Sequence, residues 1–489
     1  MSASSPTLPC LDQLADLALW EAELVADPVV AESALVARLR EVPDPRARRG
    51  RRHPLLVILV LVACATLVVG GDSVTAIWQW AARAPQDKLA RIGACRDPLT
   101  GLFTVPSERT FRRVLAEVDT DALDAAMCGY AAEVVRGAAA IPQVPRTPGP
   151  AEREERRAAQ REAERPAPAG LIPGAALDGK ALRGARTATG RVFLVAAIAH
   201  TSGVVLGQCQ VADKRGEGPA ARDLLSGLDV SGMVLTLDAL HTTKKTARLI
   251  TEKLDAHYVL ILKGNQPLAR KAAQALLAGT NAGFEETSAT EDDRGHGRRE
   301  RRAIRTAPAG TTLFPGARQV FRLRRDVGEL DGPWTSKEIV FGVTSLSAPL
   351  AGPEHLNLDP RGLCIASSVS AAHRHNQAIH PLHFRGAGVD AANASASTGS
   401  WLTQPKITRG SRLNHYERAH WTVENRLHWV RDVTFHEDNS QLRTGGAPRA
   451  LAGFRNLAIS TFRLAGRANI AHARRDLLQH NDAFAVYNI

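Results

Sequence analysis

The chain has 489 residues, about three times the length of a typical single domain, so two or three domains are expected. Apolar residues at 44% and charged residues at 23% are globular values, which argue against global disorder or a fibrous repeat. Lys and Arg number 62 against 50 Asp and Glu; the net charge of +12 favours a polyanionic partner such as DNA or RNA.

Residues 10–135 read as helical, with apolar positions at helical spacing from Leu11 to Leu39, an almost unbroken apolar run from Leu55 to Val69, and a third helix over Val74–Ala81. The fifteen-residue run is too short for the roughly 20 residues that span a bilayer and is expected to be a buried core helix. Between the first two helices, REVPDPRARRGRR (40–52) places six arginines beside two prolines, which suits a solvated loop or a phosphate contact through Arg46, Arg48, Arg49, Arg51 and Arg52. Ser107 in PSERTFRRVL is an N-cap candidate for an arginine-bearing helix, either a DNA-reading helix or a plain surface one. The N-terminus lacks the basic start and apolar core of a signal peptide, and six scattered cysteines with no C-x-x-C pair fit a reducing interior, hence a cytoplasmic protein.

Residues 142–174 are Pro-rich, charged and poor in large apolar residues, the composition of a linker. Thereafter the pattern becomes β: Ala175–Asp178, Val192–His200 and Val204–Val211 as a meander, a helix over 217–228, a strand over Val234–Asp238, a helix over 241–255 and a strand over His257–Leu262. The order β-β-β-α-β-α-β predicts an α/β fold with a mixed sheet and helices on its faces. Strand-like pieces at Arg298–Ile304, Gln319–Arg324 and Glu338–Val343 read as a β insertion. No firm element is legible in 346–415; helical periodicity returns over His415–Phe435 and Pro448–Leu464.

Asp178 and Asp238 each end or follow an apolar strand, where a carboxylate sits at the sheet rim within reach of a metal or ligand. Strand-end aspartates also commonly cap the next element. On an α-helix through HYERAHWTVENRLHWVRDV, His420, Glu424, His428 and Arg431 share a face, beside a separate apolar stripe of Val423, Leu427 and Val430. Glu424 is thus a candidate third acid, with Glu417, Asp432 and Glu437 as competitors. Three acids from separate elements suit a hard cation such as Mg²⁺, and two such ions a few ångströms apart suit in-line displacement at phosphorus.

These residues resemble the ISAs-type, or H-repeat-associated, insertion-sequence transposases of the DDE superfamily. The resemblance is carried by LREVPDPRARRGRRHPL, LDGKALRGA, LTLDALHTTKKTA, YVLILKGNQ, DRGHGRRERR and HWTVENRLHWVRDVTFHEDNSQLRTG, in that order. It implies an RNase-H-like core in which Asp178, Asp238 and Glu424 hold Mg²⁺ or Mn²⁺, two ions in all, with Arg431 as the basic residue seven places after the last acid. It also implies a DNA transposase that binds terminal inverted repeats, cuts there and joins the ends to target DNA, as a homodimer or larger assembly on DNA, nucleoid-associated and away from membranes.

The corresponding division is a helical DNA-binding domain (1–141), a linker (142–174), the first part of the core (175–282), the β insertion (283–345), an atypical insert (346–415) and the C-terminal part of the core (416–489). Two departures stand out. Glu417 and His420 replace the family's Tyr-x-x-Arg lead, and nearly seventy residues, including His373, His375, His380 and His383, separate VTSLSA from the third-acid helix. A disabled DNA-binding remnant is therefore the alternative, and a nuclease without a joining step a third reading; zinc on those histidines is disfavoured because no Cys pair accompanies them. Further DNA contacts are expected at Lys180, Arg183, Lys263 and Asn265, and on the insertion at His296, Arg298 and Arg299, while Trp421 and Trp429 are expected in the core.

Overall fold

The computed structural model describes residues 32–49, 51–150, 152–154, 156–157, 171–187, 190–211, 216–278, 288–295, 298–310, 313–351, 413, 415–416 and 419–489. The start of the predicted first helix, the insert histidines 373, 375, 380 and 383, Glu417 and His296 lie outside the described residues.

The helix Leu55–Leu67 is buried on every side from Val57 onward, as a helix apolar all round must be. It packs against the helices Ala34–Arg40, Val74–Ala81 and Glu108–Glu117 and, from the far end of the chain, Ala447–Leu464 and His480–Val486. Among the described residues no helix is long and apolar enough to cross a membrane. The N-terminal and C-terminal helices thus share one apolar core, which also takes in Ala176, Ala196 and Ile198 from the sheet.

After a two-stranded ribbon of β1 (Cys95–Arg96) and β2 (Phe103–Thr104), the other strands among the described residues form one mixed sheet. These are β3 (Gly174–Thr187), β4 (Gly190–Ala199), β5 (Val205–Val211), β6 (Val234–Leu237), β7 (His257–Leu262), β8 (Ser288–Gly295), β9 (Arg298–Pro308), β10 (Gln319–Glu329) and β11 (Trp334–Thr344). Their order is β5-β4-β3-β6-β7-β11-β10-β9-β8. β3, β4 and β5 form the expected antiparallel meander, and β6 pairs parallel with both β3 and β7.

β11 pairs antiparallel with β7, so the strands read as an insertion continue the same sheet. β8 carries the polar sequence SATEDDRG and gave no apolar alternation to read. β3 runs nine residues past the expected Asp178, kept in place by pairing with β4 through a register break between Ala181 and Arg186. The expected helix over 241–255 is instead a 3₁₀ turn (Ala239–His241), a short α-helix (Lys244–Arg248) and a π turn (Leu249–Lys253).

Candidate active site

The two aspartates are placed by register. β3 and β6 are parallel neighbours with Leu177 opposite Leu237, so Asp178 and Asp238 are the next residues on strands that lie about 4.8 Å apart. Side chains alternate across the sheet: Ala175 and Leu177 enter the core beneath, whereas Ala176 faces the C-terminal helices, and Asp178 shares that upper face. At Gly179 the Glu217 carboxylate comes close beneath the sheet: a Cβ there would lie 2.2 Å from Glu217 Oε1, so any side chain would displace that carboxylate.

Asp238 Oδ1 accepts from Ala239 N–H at 2.6 Å and so caps the turn that follows. Asn265 braces that turn: its Nδ2 donates to Ala239 O at 2.7 Å and Thr242 O at 3.3 Å, and Gln266 Nε2 donates to Thr242 O at 3.1 Å. Asn265 therefore spends its amide on the protein, where the sequence suggested a phosphate contact. Asn265→Ala is expected to cost about 1–3 kcal/mol, one or two buried hydrogen bonds, measurable by urea denaturation.

The segment bearing Glu424 is anchored at its start by Tyr416, whose hydroxyl accepts from Ile172 N–H at 2.8 Å and donates to Ile172 O at 3.1 Å. Val423, Leu427 and Val430 then bury against the shared core, as their stripe predicted. From Glu424 onward the backbone forms two successive π turns, Glu424–His428 and Val430–Thr434. Such widened turns recur at functional sites.

Glu424 Oε2 lies 3.1 Å from His428 Nδ1, which is 3.7 Å from Asp178 Oδ2. One donor atom from each of Asp178, Glu424 and His428 falls within 4.8 Å of the others. The compact group thus contains His428 where the sequence suggested Asp238, which lines the same cleft outside that trio. The cleft has a volume of about 330 Å³, and Lys263, Arg302, Arg325, His420 and Trp421 also line it.

Burial raises the Asp178 carboxyl above the usual range, opposed by His428, the Gly179 N–H and His420, while Asp238 adds to the rise. The hydrogen bond from His428 holds Glu424 below its usual value, helped by Lys180. Burial pushes His420 down despite Asp178 and Asp238.

Other sequence candidates lie elsewhere. Arg431 is fully buried and binds Glu437 with both Nε (2.8 Å) and a terminal nitrogen (2.9 Å), not the cleft. The α-helical wheel failed for it because a π turn advances less per residue: four residues on, His428 stays in line with Glu424, but seven on, Arg431 has swung away. Of the competing acids, Glu437 is consumed by Arg431 and Asp432 by an ion pair with Lys180. Arg46 is a buried staple bonded to Asp44 and His53 O, whereas Arg48, Arg49, Arg51 and Arg52 are exposed. Arg183 is exposed, 3.4 Å from Asp438, and Arg299 stacks its guanidinium over Trp334. Trp421 and Trp429, expected in the core, are 49% and 53% exposed because the apolar stripe of the same segment takes the inward face. Arg302 and Arg325 of the cleft are absent from the sequence reading as site residues, although alternation along β9 and β10 could have indicated them, and His428 appears there on the Glu424 face with no role in the site.

Residues 170–460 match the transposase DDE domain family and residues 36–131 the DDE_Tnp_1-associated family. The chain belongs to the DDE transposases. Its relatives include YncI of Escherichia coli O157:H7, whose name proposes a transposase, at 24% identity over 439 residues, 88% of this chain and 87% of that protein. An uncharacterized protein in the dhlA 3′ region of Xanthobacter autotrophicus is 29% identical over 266 residues, 54% of this chain and 77% of that one. The H repeat-associated YhhI of Escherichia coli K12, whose name also proposes a transposase, is 24% identical over 289 residues, 58% of this chain and 62% of that one. A chain of the piggyBac transposase synaptic complex with hairpin DNA superposes on 94% of this transposase and 77% of itself with a TM-score of 0.36 and 9% identity, too loosely to bear on the fold.

Proposed function

We propose that this transposase binds the terminal inverted repeats of an insertion sequence, cuts at the ends and joins them to target DNA through metal-dependent phosphoryl transfer. The observation that carries the reading is the meeting of Asp178 and Asp238, in register on parallel strands, with Glu424 from the distant C-terminal segment in one cleft that Lys263, Arg302, Arg325 and Glu338 also line. The strand order β5-β4-β3-β6-β7, three antiparallel and two parallel, supports an RNase-H-like core formed by 175–282 and 416–489. The sheet extension within 283–345 would be its β insertion, with 1–141 the recognition domain, 142–174 the linker and 346–415 a tolerated insert.

The donor set fits a divalent cation: two carboxylates and an imidazole within 4.8 Å, with Asp238 beside them. Asp178, Asp238 and Glu424 would hold Mg²⁺ or Mn²⁺, two ions when DNA is bound, and the ions would activate the attacking oxygen and stabilise the leaving one. The protein's own part is to fix the acids on the sheet rim and to line the cleft with Lys263, which would hold the scissile phosphate, beside Arg302 and Arg325, which share Glu300. Assembly as a dimer on DNA and a nucleoid location belong to the same reading.

The test is cleavage and joining of a duplex bearing the inverted repeat. Product is expected with Mg²⁺ or Mn²⁺ and none with chelator; because imidazole suits Mn²⁺ better than Mg²⁺, half-maximal activity and direct binding by calorimetry are both expected at lower Mn²⁺ concentration. DNA retention with no product under any metal would indicate a disabled remnant, and cutting without joining a nuclease.

A further inference from the structure

The sheet extension has two faces with different neighbours. In an antiparallel pair, residues directly opposite share a face. Leu323, Arg325 and Arg302 line the catalytic cleft, so Arg322, Arg324, Arg305, Arg301 and Arg299, one step along each strand, present the opposite face. Lys337 of β11, opposite Asp326, joins them. Among the described residues the helix Pro267–Leu276 covers the near end of this face, where Ala269 and Ala273 meet Val320 and Val343. Beyond it, Arg301, Lys337, Ile339 and Trp334 are exposed.

This outer face carries Arg299, Arg301, Arg305, Arg322, Arg324 and Lys337 together with Asp326, which Arg324 binds at 2.8 Å, and the register of β8 adds Asp292 opposite Arg301 and Arg294 opposite Arg299, so cations outnumber carboxylates. Arg322 sits directly opposite Arg305, and like charges so placed destabilise a sheet. Burial, then the charges of Arg305 and Arg324, hold the Arg322 guanidinium below its usual value. Trp334 orients Arg299 and Arg301, whose guanidiniums lie 4.4 and 5.3 Å from its ring centroid. From Arg299 to Arg305 the patch is about 20 Å long, the rise of six strand residues. That length meets several phosphates of a duplex carrying one charge per about 1.7 Å of axis.

We propose that this outer face of β9–β11 is a second duplex-DNA surface that grips phosphates without reading sequence, on the side of the sheet away from the catalytic cleft. It rests on the reading of the chain as a DNA transposase and adds to it that two duplex segments are held on opposite faces of one sheet. The segment could be target DNA or the inner part of the transposon end; the phosphate chemistry is the same. A flat row of guanidiniums positions a backbone and inserts nothing into a groove.

The test uses the full chain and the variant Arg301→Gln/Arg305→Gln/Arg322→Gln, checked by thermal melting. With an arbitrary duplex of about 50 base pairs, the slope of log affinity against log salt is expected to fall by about 2–3 and affinity at roughly 0.1 M salt by tenfold or more. Lys337→Glu, a single change at an exposed position, should lower the slope by about 1 and keeps the test open if the triple variant does not fold. Loss of joining to a plasmid with cleavage of a short end duplex intact assigns the surface to target DNA. Loss of cleavage on a long end duplex only assigns it to the inner end. Unchanged slopes in both variants overturn the proposal. Wild type that binds DNA but never cuts, with the slope still reduced in the variants, sinks the catalytic reading and leaves this surface standing; wild type that binds no duplex overturns both.

Discussion

Asp238→Asn is expected to abolish end cleavage and joining, by about 10³-fold or more, while leaving DNA affinity and melting temperature nearly unchanged. The asparagine is isosteric, and its amide oxygen can still accept from Ala239 N–H, the capping bond of the turn. Asn265 and Gln266 continue to hold that turn from the other side. What disappears is the negative charge at the rim beside Asp178, and the loss of a metal-holding charge is worth several kcal/mol of barrier, at about 1.4 kcal/mol per tenfold in rate. Asp178→Asn should be as severe. The measurement is product formation on a labelled end duplex, with binding on the same duplex as control. Activity within tenfold of wild type in either variant would remove these aspartates from the chemistry.

The sequence displayed these aspartates because two independent signals coincide there: an apolar run long enough for a buried strand, and a carboxylate where the run stops. Glu424 was harder, since helical spacing alone admitted Glu417, Asp432 and Glu437. Its cleft position follows from the stripe Val423, Leu427 and Val430, which fixes the inward face and leaves Glu424 beside the sheet rim. Arg431 misled because the wheel assumes a constant turn, and nothing in ENRLHWVRDV announces i→i+5 bonding. β8 escaped for a related reason: its residues SATEDDRG carry no apolar face, and only pairing with β9 makes it a strand. The single sheet uniting β3–β11 was invisible for want of any local signal linking β7 to β11, eighty residues apart in the chain.

Glu437→Gln is expected to destabilise the protein by about 3–5 kcal/mol, the cost of stripping one partner from a buried ion pair. Glu437 is 2% exposed and receives Arg431 on both oxygens and Arg455 at 2.9 Å. Arg431 also reaches Gln208 Oε1 at 3.3 Å, and Gln208 Nε2 donates to Asp124 at 3.3 Å, which Arg449 binds in turn at 3.0 Å. One polar chain therefore ties the helix Thr120–Val135, strand β5, the π turns and the helix Ala447–Leu464. Glutamine would leave two guanidiniums buried against each other, and the melting temperature should fall by roughly 3–5 °C in a chain of this length.

Burial would push the Glu437 carboxyl up, but Arg431 and Arg455 outweigh it and hold it below its usual 4.5. Its folded value is depressed, so its stabilisation is complete above about pH 4.5 and is lost as pH falls through the folded value; Glu437→Gln should remove that acid-side loss along with the stability. Arg431→Met separates structure from chemistry. Glu437 keeps Arg455, so the destabilisation should be smaller than for Glu437→Gln, and below the variant's melting temperature end cleavage should stay within a few-fold of wild type. An intact melting temperature with cleavage lost would instead return Arg431 to the reaction, against its position 0% exposed among Glu437, Gln208 and Asn456.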